Sequence, residues 1–338
     1  MRPSVALSLA IHYLDRELAP GPKVRAFQRA LSVAENLGDA ELSQRAAAGT
    51  LTDLDGVGPS TARVITEALA GIEDGYLAEL EQRSRVPVGA GGPVLDRLRG
   101  DCHCHTNWSD GGAPLRAMAE TAAALGHEWV AITDHSARLT VAHGLDEDRL
   151  RRQMEEIARL NVEMAPFRIL TGMEVDILED GSLDLSDDLL AELDVVVSSV
   201  HSKLRMPSAE MTPRMVAAIA NPNTDILGHC TNRKVVGGGR PPSTFDAEIV
   251  FAACARFDKA VEINCRPERQ DPPEELLALA VRWGCKVSVD TDAHATGQLE
   301  WQPYGADKAV RCSVPVDNII NTWTADALLE WTGNRSRN

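Results

Sequence analysis

Histidines and carboxylates in this chain stand at spacings that could hold metal ions. In DCHCHTNWSDG (101–111) His103 and His105 are two apart, on one side of an extended strand, so both imidazoles can reach one ion. Asp110 follows in a Ser-Asp-Gly turn, whereas Cys102 and Cys104 alternate to the opposite side and are expected as buried packing residues. Further on come Asp134 with His135, then Glu174, His201, His229, Asn264, and Asp292 with His294. Imidazole and carboxylate without thiolate suit zinc, manganese or iron rather than calcium or magnesium, and leave the choice among the three open. Neighbouring divalent ions lower the pKa of a shared water and neutralise a phosphate as its ester bond breaks. Hydrolysis of a phosphate ester is the natural reaction.

Each of these polar residues ends a short apolar run: EWVAITDH, RILTGMEV, LDVVVSSVH, TDILGHC, KAVEINC and CKVSVDTDAH. Amphipathic helical stretches such as PLRAMAETAAAL separate the runs, with Pro114 suited to a first turn and Gly126 to a C-terminal cap. Alternation of this kind predicts βα units and a parallel sheet. In a βα barrel the C-terminal strand ends share one mouth, so residues distant in sequence meet there.

The wider composition sets bounds on the chain. The 338 residues are 44% hydrophobic and 25% charged, enough for a large core in one big domain, or one big and one small. No run approaches the roughly 18 apolar residues of a membrane span, and the N-terminus meets charge too soon for a secretory signal, so a cytoplasmic protein is expected. The seven cysteines form no spaced metal-binding pairs, and most are expected as reduced, buried thiols. Net charge is minus 16: residues 1–99 hold 11 basic and 13 acidic residues, and 100–338 hold 23 and 37. That balance opposes a broad basic surface for nucleic acid but not a metal site, because each ion brings its own positive charge.

Residues 1–85 read as helices, with Val24, Phe27, Ala30, Leu31 and Ala34, then Ala62, Ile65 and Leu69, at helical spacing. Residues 86–99, which include VPVGAGGPV, have a linker composition, and 100–338 form the predicted catalytic domain.

The stretches HCHTNWSDG, AITDHS, GMEVDI, SSVHS, LGHCTNR, VEINCRPERQD and DTDAH, in that order, resemble the polymerase and histidinol phosphatase (PHP) domain, particularly the form attached to bacterial family X DNA polymerases. The resemblance implies an α/β fold, a distorted seven-stranded (β/α) barrel with three divalent ions. His103, His105, Glu174 and Asp292 would hold one ion. Asp110, His135 and His294 would hold a second, and His201 and His229 a third with Glu174 as bridge. A metal-bridging hydroxide would attack, with Glu174, Asp292, His294 and Arg233 carrying catalysis. Arg233 falls where the family has an arginine near the mouth, a candidate phosphate clamp, with an exposed structural role as the alternative. Arg269 and Asp271 are weaker candidates for substrate contacts, and Trp108 for stacking or loop packing. Cys230 departs from the family, which usually has proline there. His12, His127 and His143 lie outside the motifs.

The segment LTDLDGVGPSTARVITEAL resembles a helix-hairpin-helix, extending the likeness to the small N-terminal domain of those polymerases. Backbone N–H groups at Gly56 and Gly58, with Arg63, are the candidate contacts to a DNA phosphate. Arg63 is the only cation of the following helix, so the lysine nucleophile of a lyase is missing, and residues 85–100 leave no room for a polymerase palm. The leading expectation is a DNA 3′–5′ exonuclease or 3′-end-processing enzyme. A small-molecule phosphatase of the histidinol-phosphatase type is the alternative, and a non-enzymatic scaffold the third.

Overall fold

The structure, a computed structural model, describes residues 1–333, so the last five positions of the 100–338 expectation lie outside the described residues. Its internal contacts divide it into two compact units, Met1–Val86 with Thr296–Gln298, and Pro87–Ala295 with the residues from Leu299 on.

The first unit is built on the helices Pro3–Arg16, Gly21–Ala48, Pro59–Ala70 and Tyr76–Ser84. Apolar residues three or four apart face inward: Leu7, Ala10 and Leu14, then Phe27, Ala30 and Ala34, then Ile65 and Ala68 are buried, and Phe27 stacks on Tyr76 with centroids 6.1 Å apart. Full burial of one such leucine or phenylalanine contributes about 1.5–3 kcal/mol. The second helix breaks at Gly38, whose φ of 75° suits a residue without a Cβ.

The stretch expected as a linker joins the second unit. Gly92–Leu95 forms one helical turn, and the Ala90 N–H donates to Asp307 Oδ1 at 2.7 Å. A Cβ at Gly91 would lie 2.7 Å from the Asp307 backbone nitrogen, which explains a glycine there.

Seven parallel strands in sequential order make up the second unit: β1 (Gly100–Asp101), β2 (Trp129–Ile132), β3 (Arg168–Asp176), β4 (Val195–Ser199), β5 (Ile226–Leu227), β6 (Ala260–Asn264) and β7 (Lys286–Asp290). The β4 and β6 segments VVVSS and AVEIN are buried throughout, as expected of strands covered on both faces. Helix starts are fixed locally, Asp146 accepting from Arg149 N and Asp246 from Ile249 N. Helix Leu115–Ala124 has Pro114 as its N-cap and Leu125 as its C-cap, so each boundary lies one residue from the sequence reading.

Closure between β1 and β7 uses two devices. Beyond the strand ends, Asp292 N–H donates to His103 O at 2.9 Å and His105 N–H to Ala293 O at 2.7 Å. Lower down, the Gln302 and Asn321 side chains, both buried, satisfy Gly100 O and the Val289 backbone, with Asn321 Nδ2 also donating to Asp290 Oδ1 at 2.8 Å. The result is a nearly closed barrel, with all strand C-termini at one end because all strands run parallel.

Candidate metal centre

Consecutive strand ends deliver the side chains. His103 and His105 follow β1, their imidazoles and the thiols of Cys102 and Cys104 all fully buried, and those thiols are free and raised in pKa by burial. His135 follows β2, Glu174 lies within β3, His201 follows β4, His229 follows β5, and Asp292 and His294 follow β7.

Glu174 is the meeting point. Its Oε2 lies 2.8 Å from His135 Nδ1, 3.3 Å from His103 Nε2 and 3.6 Å from His105 Nε2, while its Oε1 lies 2.8 Å from His229 Nε2 and 3.1 Å from His201 Nε2. Asp110 Oδ1 lies 3.4 Å from His294 Nε2 and 3.6 Å from His135 Nε2, and His105 Nε2 lies 3.4 Å from Asp292 Oδ1. Four sets each offer donor atoms within 4.8 Å of one another: His105, Asp110, His135 and His294; His103, His105 and Asp292; His103, Glu174 and His229; His135, Glu174 and His201. All nine residues expected as ligands appear in these sets. His105 also joins Asp110, His135 and His294, an overlap the resemblance did not imply.

The donors fit divalent cations by their arrangement. His103 Nδ1 lies 2.6 Å from Glu262 Oε1 and His201 Nδ1 lies 2.5 Å from Asp176 Oδ1, so each ring is held by one nitrogen and turns the other towards Glu174. Carboxylate-backed imidazoles of this kind are what metal sites use to fix a tautomer. His201 Nε2, His135 Nδ1 and Glu174 Oε2 are buried yet have no hydrogen-bond partner despite their short approaches. Buried polar atoms left so are costly unless another species satisfies them.

Charge follows the same plan. Burial opposes ionisation of Glu174, but His201, His103 and His135 hold it well below the usual carboxylate range. Burial likewise opposes ionisation of Asp292, outweighed by Arg269 and Arg266. Burial, reinforced by His294 and His135, keeps His105 well below the ordinary histidine value. Burial would lower His201 too, yet Glu174 and Asp176 raise it to about 9.

Other residues fall into support. Asp134, fully buried, accepts from Thr106 N, Ser109 N and Gln153 Nε2 and so staples the turn that carries Asp110. Asn264 Nδ2 donates to Asp292 Oδ2 at 3.0 Å, steadying a residue at φ 52°. Asp271 is buried and accepts from Thr231 Oγ1 at 2.7 Å, anchoring the loop after His229 rather than facing the mouth. Arg233 Nε donates to Arg269 O at 3.1 Å, and the guanidinium groups nearest Asp292 are those of Arg269, at 3.3 Å, and Arg266, at 3.7 Å. Trp108 is half-buried against the core, its Nε1 donating to Glu156 Oε2 at 3.0 Å, so it packs the loop.

Sequence reasoning missed Glu262, Asp176 and Arg266. The first two stood in plain view by period: Glu262 precedes Asn264 by two and Asp176 follows Glu174 by two, on the same strand faces. In the first unit Gly56 has φ 89°, and the Gly58 N–H donates to Thr61 Oγ1 at 2.9 Å. Arg63 pairs with Glu67 at 2.6 Å and Glu79 at 2.9 Å, leaving its charge balanced by two carboxylates.

Comparison with known proteins adds sequence relatives. A family model described as the PHP domain matches residues 101–237. The DNA polymerase/3′-5′ exonuclease PolX of Bacillus subtilis is 38% identical over 227 residues, 67% of this chain but only 40% of that protein's length. A probable phosphatase of Thermoanaerobacter sp. is 31% identical over 235 residues, 66% of this chain and 89% of that protein. A crystal structure of histidinol phosphate phosphatase from Lactococcus lactis, complexed with zinc, L-histidinol and phosphate, is 20% identical with a TM-score of 0.44, covering 59% of this chain and 87% of that one. Among the described residues no helix is long and apolar enough to cross a membrane.

Proposed function

Because the chain belongs to the PHP domain family of phosphoesterases, we propose that it is a metal-dependent phosphodiesterase that removes nucleotides from DNA 3′ ends. The observation that carries the metal-dependent part is the approach of five imidazoles from four chain segments to the one carboxylate of Glu174. Similarity to the Bacillus subtilis exonuclease over two thirds of the chain supports the DNA substrate.

The nine residues would hold the ions in the overlapping sets given above, and zinc, manganese and iron all match that donor chemistry. When bound, such ions acidify water and neutralise a phosphate in its transition state. The chain's own groups prepare the site. Glu262 and Asp176 fix the rings of His103 and His201, and Arg269 and Arg266 keep Asp292 ionised. Arg233 donates through Nε and Nη2 to the carbonyls of Arg269 and Gln270, which favours the structural role over that of a phosphate clamp.

The test uses manganese-loaded protein and single-stranded DNA labelled at its 3′ end. Wild type releases label and Glu174→Ala does not; no release by wild type, or equal release by both, refutes the reading. A second reading, a small-molecule phosphatase, is favoured by the chain's spanning 89% of the probable phosphatase from Thermoanaerobacter. A phosphomonoester panel separates the two, since that reading requires a higher kcat/KM for one metabolite than for DNA ends.

A further inference from the structure

Beside the centre, in the same unit, opens a cavity of about 590 Å³ lined by His201, Lys203, Leu204, Arg205, Arg240 and Thr244, with the adjoining Pro241–Pro242 pair as a wall. His201 belongs to both places, because its Nε2 stands 3.1 Å from Glu174 Oε1 while the ring lines the cavity. The loop after β4 brings Lys203 and Arg205, and the loop after β5 brings Arg240.

These cations are poorly compensated in a chain of net charge minus 16. The carboxylate nearest Lys203 is Glu179 at 3.8 Å, a pair with both side chains 61% exposed, and such pairs contribute little. Among the described residues no carboxylate pairs with Arg205 or Arg240. Arg240 instead donates to the Asn232 carbonyl at 2.7 Å and to its side-chain oxygen, both neutral. Burial and the neighbouring charge of Arg269 lower the pKa of Arg240, and Lys234 is lowered by burial, Arg269 and Arg240. Like charges so weakly countered, by Glu179 at Lys203 and by Asp271 at Arg240, are stabilised by an anion.

We propose that this cavity seats the phosphate of the strand next to the scissile one, so that the enzyme selects a chain of phosphodiesters over a compound bearing one phosphate. The proposal rests on the exonuclease reading above and names its substrate subsite. A lone phosphomonoester at the centre places nothing among Lys203, Arg205 and Arg240, whereas a strand threading past His201 delivers its second phosphate there. Contacts to a phosphate backbone carry no sequence preference, which suits an enzyme that must accept any 3′ end.

The test measures binding of a hydrolysis-resistant phosphorothioate oligothymidylate to the metal-loaded full chain, by fluorescence anisotropy over a series of salt concentrations. Lys203→Ala/Arg205→Ala removes two cations on exposed side chains, and Thr244→Glu adds a negative charge on an exposed wall position. Circular dichroism checks that each remains folded. For the double variant Kd rises at least about tenfold, and the slope of log affinity against log salt becomes shallower by about 1.4, at about 0.7 for each lost contact to a single strand. Thr244→Glu also raises Kd.

Unchanged Kd and slope in both folded variants overturn the subsite. Release of 3′ label by wild type, measured in parallel, keeps the two claims apart. Release with unchanged slopes overturns the subsite and leaves the exonuclease reading; a shallower slope without release supports the subsite and overturns cleavage. No binding by wild type overturns both.

Discussion

Replacing Asp176 by asparagine isolates what the residue behind His201 contributes. The carboxylate is buried, 2.5 Å from His201 Nδ1, and the amide is nearly isosteric, so packing is preserved and only charge is lost. A hydrogen bond to a charged group contributes about 1.5–3 kcal/mol and a neutral one about 0.5–1.5. The difference, about 1.4 kcal/mol, is a tenfold change in affinity, the lower end of the 10–100-fold loss seen when such backing residues are mutated. His201 joins only the set with His135 and Glu174, so one class of bound ion weakens about tenfold while the others remain. Competition with a chromophoric chelator, with metal content measured at each step, reads this directly. Unchanged affinity, or equal weakening of every ion, refutes the assigned role of Asp176.

Asn321→Ala leaves Gly100 O and the Val289 backbone groups without this side-chain partner between the first and last strands, and costs about 3 kcal/mol in urea unfolding. His127, lowered to about 4 by burial against a weaker raising by Gln302, is neutral when folded. The unfolded chain takes up its proton first, so stability is present above about 6.5 and lost as pH falls from there towards 4, by up to roughly 3 kcal/mol. His127→Asn flattens that part of a thermal-midpoint profile, and an unaltered profile contradicts the assignment. Chelation lowers the thermal midpoint, because ions that bind only the folded chain stabilise it, by about 2.7 kcal/mol at a hundred times Kd; an equal midpoint with and without chelator contradicts this.

Much of the site was legible because parallel strands bring their C-terminal ends together. A histidine or acid closing an apolar run is a recognisable type at a recognisable place, which is how His135, His201, His229 and Asp292 stood out. Glu262 escaped because an acid inside a run looks like strand interior, and Asp176 because it follows the run that Glu174 already marked; only their two-residue offset from Asn264 and Glu174 marks the shared face. Arg266 and Arg269 look alike in RPERQD, as does Asp271, and nothing local says that Asp271 turns inward to Thr231. Contacts across sequence were out of reach. The pairing of Arg63 with Glu79, and the meeting of Lys203 with Arg240 around one cavity, depend on how loops fold back. The 86–99 stretch read as linker from its glycines, but at Gly91 a small residue serves close packing against Asp307.

The most direct measurement is anomalous diffraction from crystals of the metal-loaded protein, recorded at the absorption edge of the metal found by elemental analysis. The account predicts peaks among Asp110, Glu174, Asp292 and the imidazoles of His103, His105, His135, His201, His229 and His294, within about 2.0–2.2 Å of their nitrogen and oxygen atoms if the metal is zinc. A map without peaks there, with those side chains bonded only to one another or to water, contradicts it.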